Sequence, residues 1–245
     1  MNLVFDIGNT HTKTGLFYRG KLLESQRLEA ITRDAVKLIL EKHSPEAVLV
    51  SSVGKNERSL FDSIGKNLET LVFLDHTLPM PLKISYATPE TLGHDRIAAA
   101  AGARKLLPGM PLLIMDLGTA ITIDLVTANG EFRGGNISPG MLTRFKSLHD
   151  HTARLPLVRK NASFPDFGTD TQSAITAGVQ QGIIFELNGY IQLFESRYPG
   201  CKFVITGGDA DFFVHKLKKP IFAFPDLVLT GLNHILEFNS PDFRQ

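Results

Sequence analysis

The 245-residue chain has one cysteine, almost no net charge and no long apolar run. Because Cys201 has no second cysteine to pair with, an intrachain disulfide is excluded, and we expect a reducing compartment. A formal net charge of +1 without long like-charge runs argues against a nucleic-acid surface. No window approaches the ~20 apolar residues that span a bilayer, and the start lacks the pattern of a signal peptide. We therefore predict a cytoplasmic protein with no nucleic-acid or membrane partner, for which small-molecule chemistry is favoured.

Two common nucleotide-binding motifs are also missing. The sequence contains neither G-x-x-x-x-G-K-[ST] nor G-x-G-x-x-G, so P-loop and Rossmann folds lose their usual support. It does contain a repeated phrase: Asp6-Ile7-Gly8-Asn9-Thr10 and Asp116-Leu117-Gly118-Thr119-Ala120 each follow a short apolar run. Either copy alone could arise by chance. Two copies at equivalent points of the chain indicate a duplicated site.

A similar series of elements surrounds each phrase. In the first half, the pattern predicts three antiparallel strands within 2–29, a helix at 32–43 with Thr32 as N-cap, a strand at 47–53, a helix from near Asn56, a strand at 70–75 and a helix at 95–107. In the second half, it predicts three strands within 111–140, a helix at 171–198, a strand at 201–208 that includes Cys201, and a helix at 209–219. We therefore predict an α/β fold of two similar domains, 1–108 and 109–245, with a cleft between them and both Asp-x-Gly turns at its floor.

The first phrase suits the phosphates of a nucleotide. Gly8 lets the backbone approach a ligand, and Asn9, Thr10 and the turn amides can donate to phosphate oxygens. Lys13 adds a mobile positive charge on the following strand. Asp6 fits such a place chiefly with a metal ion between carboxylate and phosphate, because a bare carboxylate would repel the phosphate. We interpret the segment as a cradle for a magnesium nucleotide.

The segment Gly93-His94-Asp95-Arg96 comes just before the alanine-rich helix. Asp95 could cap that helix, since the helix dipole favours a carboxylate there. It could equally accept the proton of a substrate hydroxyl and orient that nucleophile for phosphoryl transfer. The residues by themselves leave both interpretations open.

The second phrase offers similar chemistry. Asp116 could hold a cation, and Thr119 could donate to a phosphate. The segments at 134–140 (GGNISPG) and 206–209 (TGGD) form glycine turns that permit close backbone approach. Taken singly, each is better explained as an ordinary turn.

Taken in order, these motifs resemble the type III pantothenate kinase family, within the superfamily of acetate kinase, sugar kinases, Hsp70 and actin. The match is carried by DIGNTHTK, GHDR, DLGTAITID, GGNISPG, HTARLP, GTDTQSAI and TGG, of which each is weak and the ordered set is specific. The resemblance implies two duplicated ribonuclease H-like (actin-like ATPase) domains with ATP bound between them. It also implies transfer of phosphate to the primary hydroxyl of pantothenate, giving 4′-phosphopantothenate in the first step of coenzyme A biosynthesis.

The same resemblance implies roles for individual residues. The phosphate and Mg²⁺ loop would be formed by Asp6, Gly8, Asn9, Thr10, His11, Thr12 and Lys13, with Thr119 also contacting ATP. Asp95 would be the proton acceptor, and pantothenate would contact Tyr86, Gly93, His94, Asp95, Arg96 and Thr171. Asp116 would bind a monovalent cation, K⁺ or NH₄⁺. The family also implies a homodimer with pantothenate close to its interface.

Two alternatives belong to other functional classes. A non-catalytic regulatory homologue would require damaged site residues, yet the chain retains Asp6, Lys13, Asp95, Arg96, Asp116 and Thr119. Another enzyme of the superfamily, such as a phosphatase acting on polyphosphate or a sugar kinase, is disfavoured by the G-x-D-R motif and the short chain. His94 fills the free position of that motif, where it could be a spacer or, partly protonated, could meet the pantothenate carboxylate.

Overall fold

The computed structural model describes residues 1–8, 11–52, 58–62 and 68–240. The strands are β1 (Asn2–Ile7), β2 (Thr12–Tyr18), β3 (Lys21–Leu28), β4 (Ala47–Ser52), β5 (Thr70–Phe73), β6 (Lys83–Ile84), β7 (Leu112–Leu117), β8 (Ala120–Val126), β9 (Glu131–Pro139), β10 (Lys202–Thr206) and β11 (Phe222–Ala223). The helices are α1 (Arg33–His43), α2 (Arg58–Asp62), α3 (His94–Leu106), α4 (Met141–Asp150), α5 (Thr171–Arg197), α6 (Ala210–Val214) and α7 (Leu227–Asn239). The predicted helix start near Asn56 lies outside the described residues. None of the described helices is long and apolar enough to cross a membrane.

The chain divides into two compact units. Unit 1 comprises Met1–Gly109, Gly130–Arg133 and the segment that begins at Asp226, and unit 2 comprises Met110–Asn129 and Gly134–Pro225. The predicted domains, 1–108 and 109–245, differ from these units mainly in the C-terminal segment. That segment belongs to unit 1 because α7 packs against α3 and β1.

The sheet of unit 1 has the strand order β3-β2-β1-β4-β5. The first three strands pair antiparallel, and β4 and β5 continue the sheet in parallel with β1. The β2–β3 hairpin closes at Arg19 and Gly20, whose φ angles of 48° and 76° suit a two-residue turn with the twist of the strands. The predicted antiparallel start of the fold is confirmed.

One face of this sheet is covered by α1. Leu3 and Phe5 of β1 are buried in one apolar cluster with Val36 of α1. The helix begins where its N-terminal amides find an acceptor: the Thr32 side chain accepts from the Ala35 backbone N–H at 3.2 Å. The predicted N-cap is therefore confirmed.

The C-terminal helix α7 is packed backbone to backbone against α3. A Cβ atom at Gly231 would lie 1.7 Å from the carbonyl oxygen of Ala98, and Gly102 faces the same crossing. Beside it, Lys105 Nζ lies 2.6 Å from Glu237 Oε2. Because only glycine permits this approach, α7 fixes the position of the helix that carries Asp95.

Unit 2 repeats the arrangement of unit 1. Its strands follow the order β11-β10-β7-β8-β9, with β8 antiparallel and β10 parallel to β7. The long helix α5 buries Ile183, Leu187 and Ile191 in one apolar cluster with residues of β7. The predicted duplication of an α/β fold is confirmed in strand order and direction.

Two details differ from the sequence prediction. Cys201 precedes β10, which begins at Lys202, and it is half-buried against the apolar cluster of unit 2. Burial raises the pKa of its thiol to about 11, so it is a poor nucleophile.

In unit 1 the short strand β6 pairs in parallel with the first residues of β9, placing Ile84 opposite Phe132.

Candidate active site

Asp6 and Lys13 face each other at the ends of β1 and β2. They are directly opposed in the antiparallel register, and Ser51 of β4 lies on the other side of Asp6. Directly opposed residues on neighbouring strands share one face of a sheet. The turn after β1 is closed by a 3.1 Å hydrogen bond from the Gly8 N–H to the carbonyl of His11. The structure thus brings the predicted carboxylate and ammonium together beside this turn.

The remaining residues of the predicted phosphate loop have different environments. Asn9 and Thr10 lie outside the described residues. Thr12 is buried and pairs with Ile7 in the ladder between β1 and β2, so its role as a phosphate contact stays a prediction. The Nδ1 atom of His11 is buried and has no hydrogen-bond partner among the described residues. A buried ring nitrogen without a partner fits a site that expects a ligand.

Asp95 lies in the first turn of α3, after the N-cap Gly93. Its carboxylate accepts from the Arg96 backbone N–H at 2.8 Å, which satisfies one amide of the first turn. A Cβ atom at Gly93 would lie 2.5 Å from Asp95 Oδ1, so glycine leaves the room that this carboxylate occupies. Asp95 is exposed to solvent. The geometry therefore permits both interpretations of Asp95, since it supports the helix end and remains open to a substrate.

The electrostatics link Asp6 to Asp95. Burial, followed by the negative charge of Asp95, raises the pKa of Asp6 to about 6, while Lys13 acts in the opposite direction. The two carboxylates repel each other when both are ionised. A cation between them would relieve that repulsion, so the pair fits the predicted magnesium loop.

His94 is half-buried beside Asp95. Burial lowers the pKa of its ring, against the opposing effects of Asp95, a hydrogen bond to the Ser52 backbone and Asp75. The neutral ring is therefore favoured near pH 7, and the two alternatives for His94, a spacer or a contact of the pantothenate carboxylate, stay predictions. The sequence analysis did not single out Asp75, the acidic last residue of the predicted strand at 70–75.

Arg96 is buried, with 5% of its surface exposed, in an aromatic corner formed by Tyr86 and Phe132. Its guanidinium carbon lies 5.7 Å from the Tyr86 ring centroid and 5.9 Å from that of Phe132. The two rings are themselves 6.3 Å apart. The structure thus joins two predicted substrate contacts, and adds Phe132, which no sequence signal beyond strand alternation marked.

In unit 2, the glycine turns pack around the second phrase. Asp116 pairs with Thr206 on β10, and a Cβ atom at Gly207 would lie 2.4 Å from Asp116 Oδ1. A Cβ atom at Gly140 would lie 2.0 Å from the Gly118 carbonyl oxygen. Taken singly, the segments at 134–140 and 206–209 are predicted from the sequence to be ordinary turns. The structure brings one glycine of each against the residues at the end of β7.

Thr119 and Thr171 lie at separate places within unit 2. Thr119 is exposed, and its carbonyl accepts from Thr143 Oγ1 at 2.7 Å. Thr171 opens α5 and lines a cavity of about 740 Å³ between α4 and α5, together with Arg144. Arg144 forms an ion pair with Glu186. The roles of these threonines, and the cleft between the two halves, stay predictions.

Comparison with solved structures supports the assignment of the fold. A conserved, candidate Baf family transcriptional activator from Campylobacter jejuni aligns with a TM-score of 0.63 and 22% identity, covering 97% of this chain and 98% of the other. A candidate 2-dehydro-3-deoxygalactonokinase from Sinorhizobium meliloti aligns with a TM-score of 0.65 and 12% identity, covering 98% and 100%. Together with the strand order, these likenesses define the class: the ribonuclease H-like fold of actin-like ATPases and sugar kinases.

Sequence comparison is more specific. The family model for type III pantothenate kinase matches residues 2–193. The type III pantothenate kinase of Bacteroides fragilis is 41% identical over 240 residues, which cover 98% of this chain and 99% of the relative. The chain therefore belongs to the type III pantothenate kinase family, and the resemblance seen in the motifs is confirmed.

Proposed function

We propose that the protein transfers the terminal phosphate of ATP to the primary hydroxyl of pantothenate, the first step of coenzyme A biosynthesis. The observation that carries this proposal is the arrangement at the N-terminal end of α3. There the exposed Asp95 lies next to the buried Arg96, and its charge raises the pKa of Asp6. Membership of the family supports the same pair of substrates.

Asp95 is the proposed proton acceptor. It would orient the attacking hydroxyl and take its proton as the new oxygen–phosphorus bond forms. The bond between the γ-phosphorus and the bridging oxygen of ATP breaks in the same step, and ADP leaves. Pantothenate carries a carboxylate at the end remote from that hydroxyl. Arg96 is the proposed partner of this carboxylate, because a guanidinium can bind a carboxylate through two parallel hydrogen bonds. Tyr86 would complete this side of the site.

The phosphates of ATP would lie against the turn after β1. Lys13 would neutralise their charge, and the unpartnered Nδ1 of His11 would find a phosphate oxygen. The described residues contain no cluster of three or more metal-ligating side chains. One carboxylate, that of Asp6, together with phosphate oxygens suits Mg²⁺, which commonly binds through one or two carboxylates and the phosphates of its substrate. Bound there, Mg²⁺ would neutralise charge on the transferring phosphate.

Asp116 is the proposed site of a monovalent cation, with Thr119 contacting ATP. The packing of Gly207 and Gly140 against this strand end places backbone carbonyls, among them that of Leu117, near the carboxylate. A single carboxylate among carbonyl oxygens suits a weakly hydrated ion such as K⁺ or NH₄⁺. This donor set carries little negative charge, so a divalent ion is less favoured.

We also propose that the protein acts as a cytoplasmic homodimer. Unit 2 exposes large apolar side chains: Ile137 is 63%, Leu142 57% and Phe185 66% exposed. Association of two copies through unit 2 would remove such apolar side chains from water. Thr171, the proposed pantothenate contact on α5, belongs to the same unit. Sedimentation equilibrium at micromolar concentration should give twice the monomer mass, and a monomer would contradict this part of the proposal.

The decisive experiment is a coupled assay for ADP with ATP, Mg²⁺ and pantothenate, run with K⁺ and again with Na⁺ alone. We expect product that depends on pantothenate and more of it with K⁺. No product with either ion would refute the proposed activity. Turnover of sugars or polyphosphate, tested in parallel, would indicate another enzyme of the superfamily. The absence of activity with every one of these substrates would favour a regulatory homologue.

A further inference from the structure

Phe132 is a buried ring that packs next to Arg96, a proposed substrate-binding residue. It is the second residue of β9, and none of its surface is exposed. The Phe132 carbonyl accepts from the Ser85 backbone N–H at 2.9 Å, which ties β9 to the segment that carries Tyr86. Phe132 is therefore fixed to the same short ladder as Tyr86 but has no access to solvent or substrate.

Polar side chains of β6 and β9 also connect the two strands. Ser85 Oγ donates to Glu131 Oε1 at 2.5 Å. The same glutamate forms ion pairs with Lys83 Nζ at 3.3 Å and with Arg133 Nε at 3.1 Å. Both neighbours of Phe132 in the chain are thus anchored. The ring has little freedom to shift when the site fills.

The Arg96 guanidinium, the Tyr86 ring and the Phe132 ring form a triangle with sides of 5.7, 5.9 and 6.3 Å. Both rings approach the cation within the distance at which the negative face of an aromatic ring attracts it. An arginine side chain has many rotamers, and contacts with two neighbouring rings reduce that freedom. Tyr86 is half-buried and can respond to a ligand, whereas Phe132 cannot.

We propose that Phe132 is a positioning residue, which holds the Arg96 guanidinium in the orientation that receives the substrate carboxylate. It acts through Arg96 and does not contact the substrate. The inference rests on the proposed function. Its consequence is that loss of the ring should weaken recognition of the carboxylate and leave phosphate transfer itself intact.

The test compares Phe132→Leu with Phe17→Leu in the full-length protein. Phe17, on β2 of the same unit, is equally buried at 1% exposure and has no ring contact with Arg96, so it controls for lost core packing. Phe132→Leu should raise the KM for pantothenate roughly tenfold, the effect of losing one desolvated cation–ring contact. Its kcat and KM for ATP should stay within about twofold of wild type. Phe132→Tyr, which keeps the ring face, should restore most of the lost affinity.

A second substrate gives the readout that a packing defect would not produce. Pantothenate is compared with its neutral primary amide, which lacks only the carboxylate charge. The preference for pantothenate should fall roughly tenfold in Phe132→Leu and remain unchanged in Phe17→Leu. Phe132→Met, which keeps more of the side-chain volume, is measured in parallel in case the leucine variant does not fold.

The outcomes separate the two proposals. An inactive wild-type protein would refute the proposed function. An active wild type whose Phe132 variants keep the normal KM and the normal preference for the carboxylate would refute the positioning role alone. Equal changes in the Phe132→Leu and Phe17→Leu proteins would also refute it, because they would trace to packing.

Discussion

Replacing Asp6 by asparagine should stabilise the ligand-free protein near neutral pH while removing its activity. The folded environment raises the pKa of Asp6 from its usual 3.8 to about 6, mainly through burial and secondly through Asp95. At 1.36 kcal/mol for each pH unit, ionised Asp6 opposes folding by about 3 kcal/mol at pH 7, as an upper estimate. Asparagine has the same shape and no charge, so the variant escapes this cost.

The sign of the pH dependence follows from the direction of the change. A carboxyl whose pKa is higher in the folded state binds its proton more tightly there, so its contribution favours folding in acid and is lost as the pH rises. The advantage of Asp6→Asn should therefore be near zero below about pH 4, grow between about pH 4 and 6, and level off near pH 7. In the proposed function, Asp6 is kept for binding Mg²⁺ at the expense of stability.

Urea unfolding at a series of pH values, without nucleotide or divalent metal, measures this difference directly. Asp150→Asn, at an exposed position at the end of α4, controls for the loss of one negative charge. An Asp6→Asn protein that is less stable than wild type at pH 7 would refute the argument. So would an advantage that is the same at pH 4 and pH 7.

Three further predictions concern the site and its support. Asp95→Asn should lower kcat by about 10²- to 10⁴-fold while pantothenate binding in the presence of ATP survives calorimetry; unchanged turnover would remove Asp95 from the role of base. Gly231→Ala should lower the free energy of unfolding by about 1–3 kcal/mol, because the new methyl meets the Ala98 carbonyl. Gly182→Ala on α5 should be neutral or slightly stabilising, because a Cβ atom there meets nothing within 4 Å; equal melting temperatures of the two variants would contradict this. Asp116→Asn should raise the K⁺ concentration needed for half-maximal activity, and an unchanged K⁺ titration would place the cation elsewhere.

Much of the fold could be predicted from local patterns. Alternation of apolar residues specified the strands of both halves, and Thr32 marked the start of α1, because strand periodicity and N-capping act between residues close in the chain. The sequence placed Asp6 and Lys13 in one candidate phosphate loop, and the antiparallel pairing of β1 with β2 sets them opposite each other. The family motifs then pointed to these same residues.

The return of α7 to unit 1 could not be predicted in this way. Gly102 and Gly231 are far apart in the chain, and nothing in the sequence around them indicates that they are in contact in the fold. Each alone is only an unfavourable residue within a helix. Their meaning comes from the close crossing of two helices, which is a property of the packed protein.

The site divides along the same line. The sequence by itself determined which chemical groups are present: the two Asp-x-Gly phrases, the G-x-D-R segment and the family to which they belong. Only the tertiary structure decided that Asp95 raises the pKa of Asp6, that Arg96 rests against Phe132, and that the glycine turns of unit 2 pack around Asp116. The reason is physical: helix and strand preferences act between neighbours in the chain, whereas burial and charge interactions depend on distances in space that only the complete fold defines.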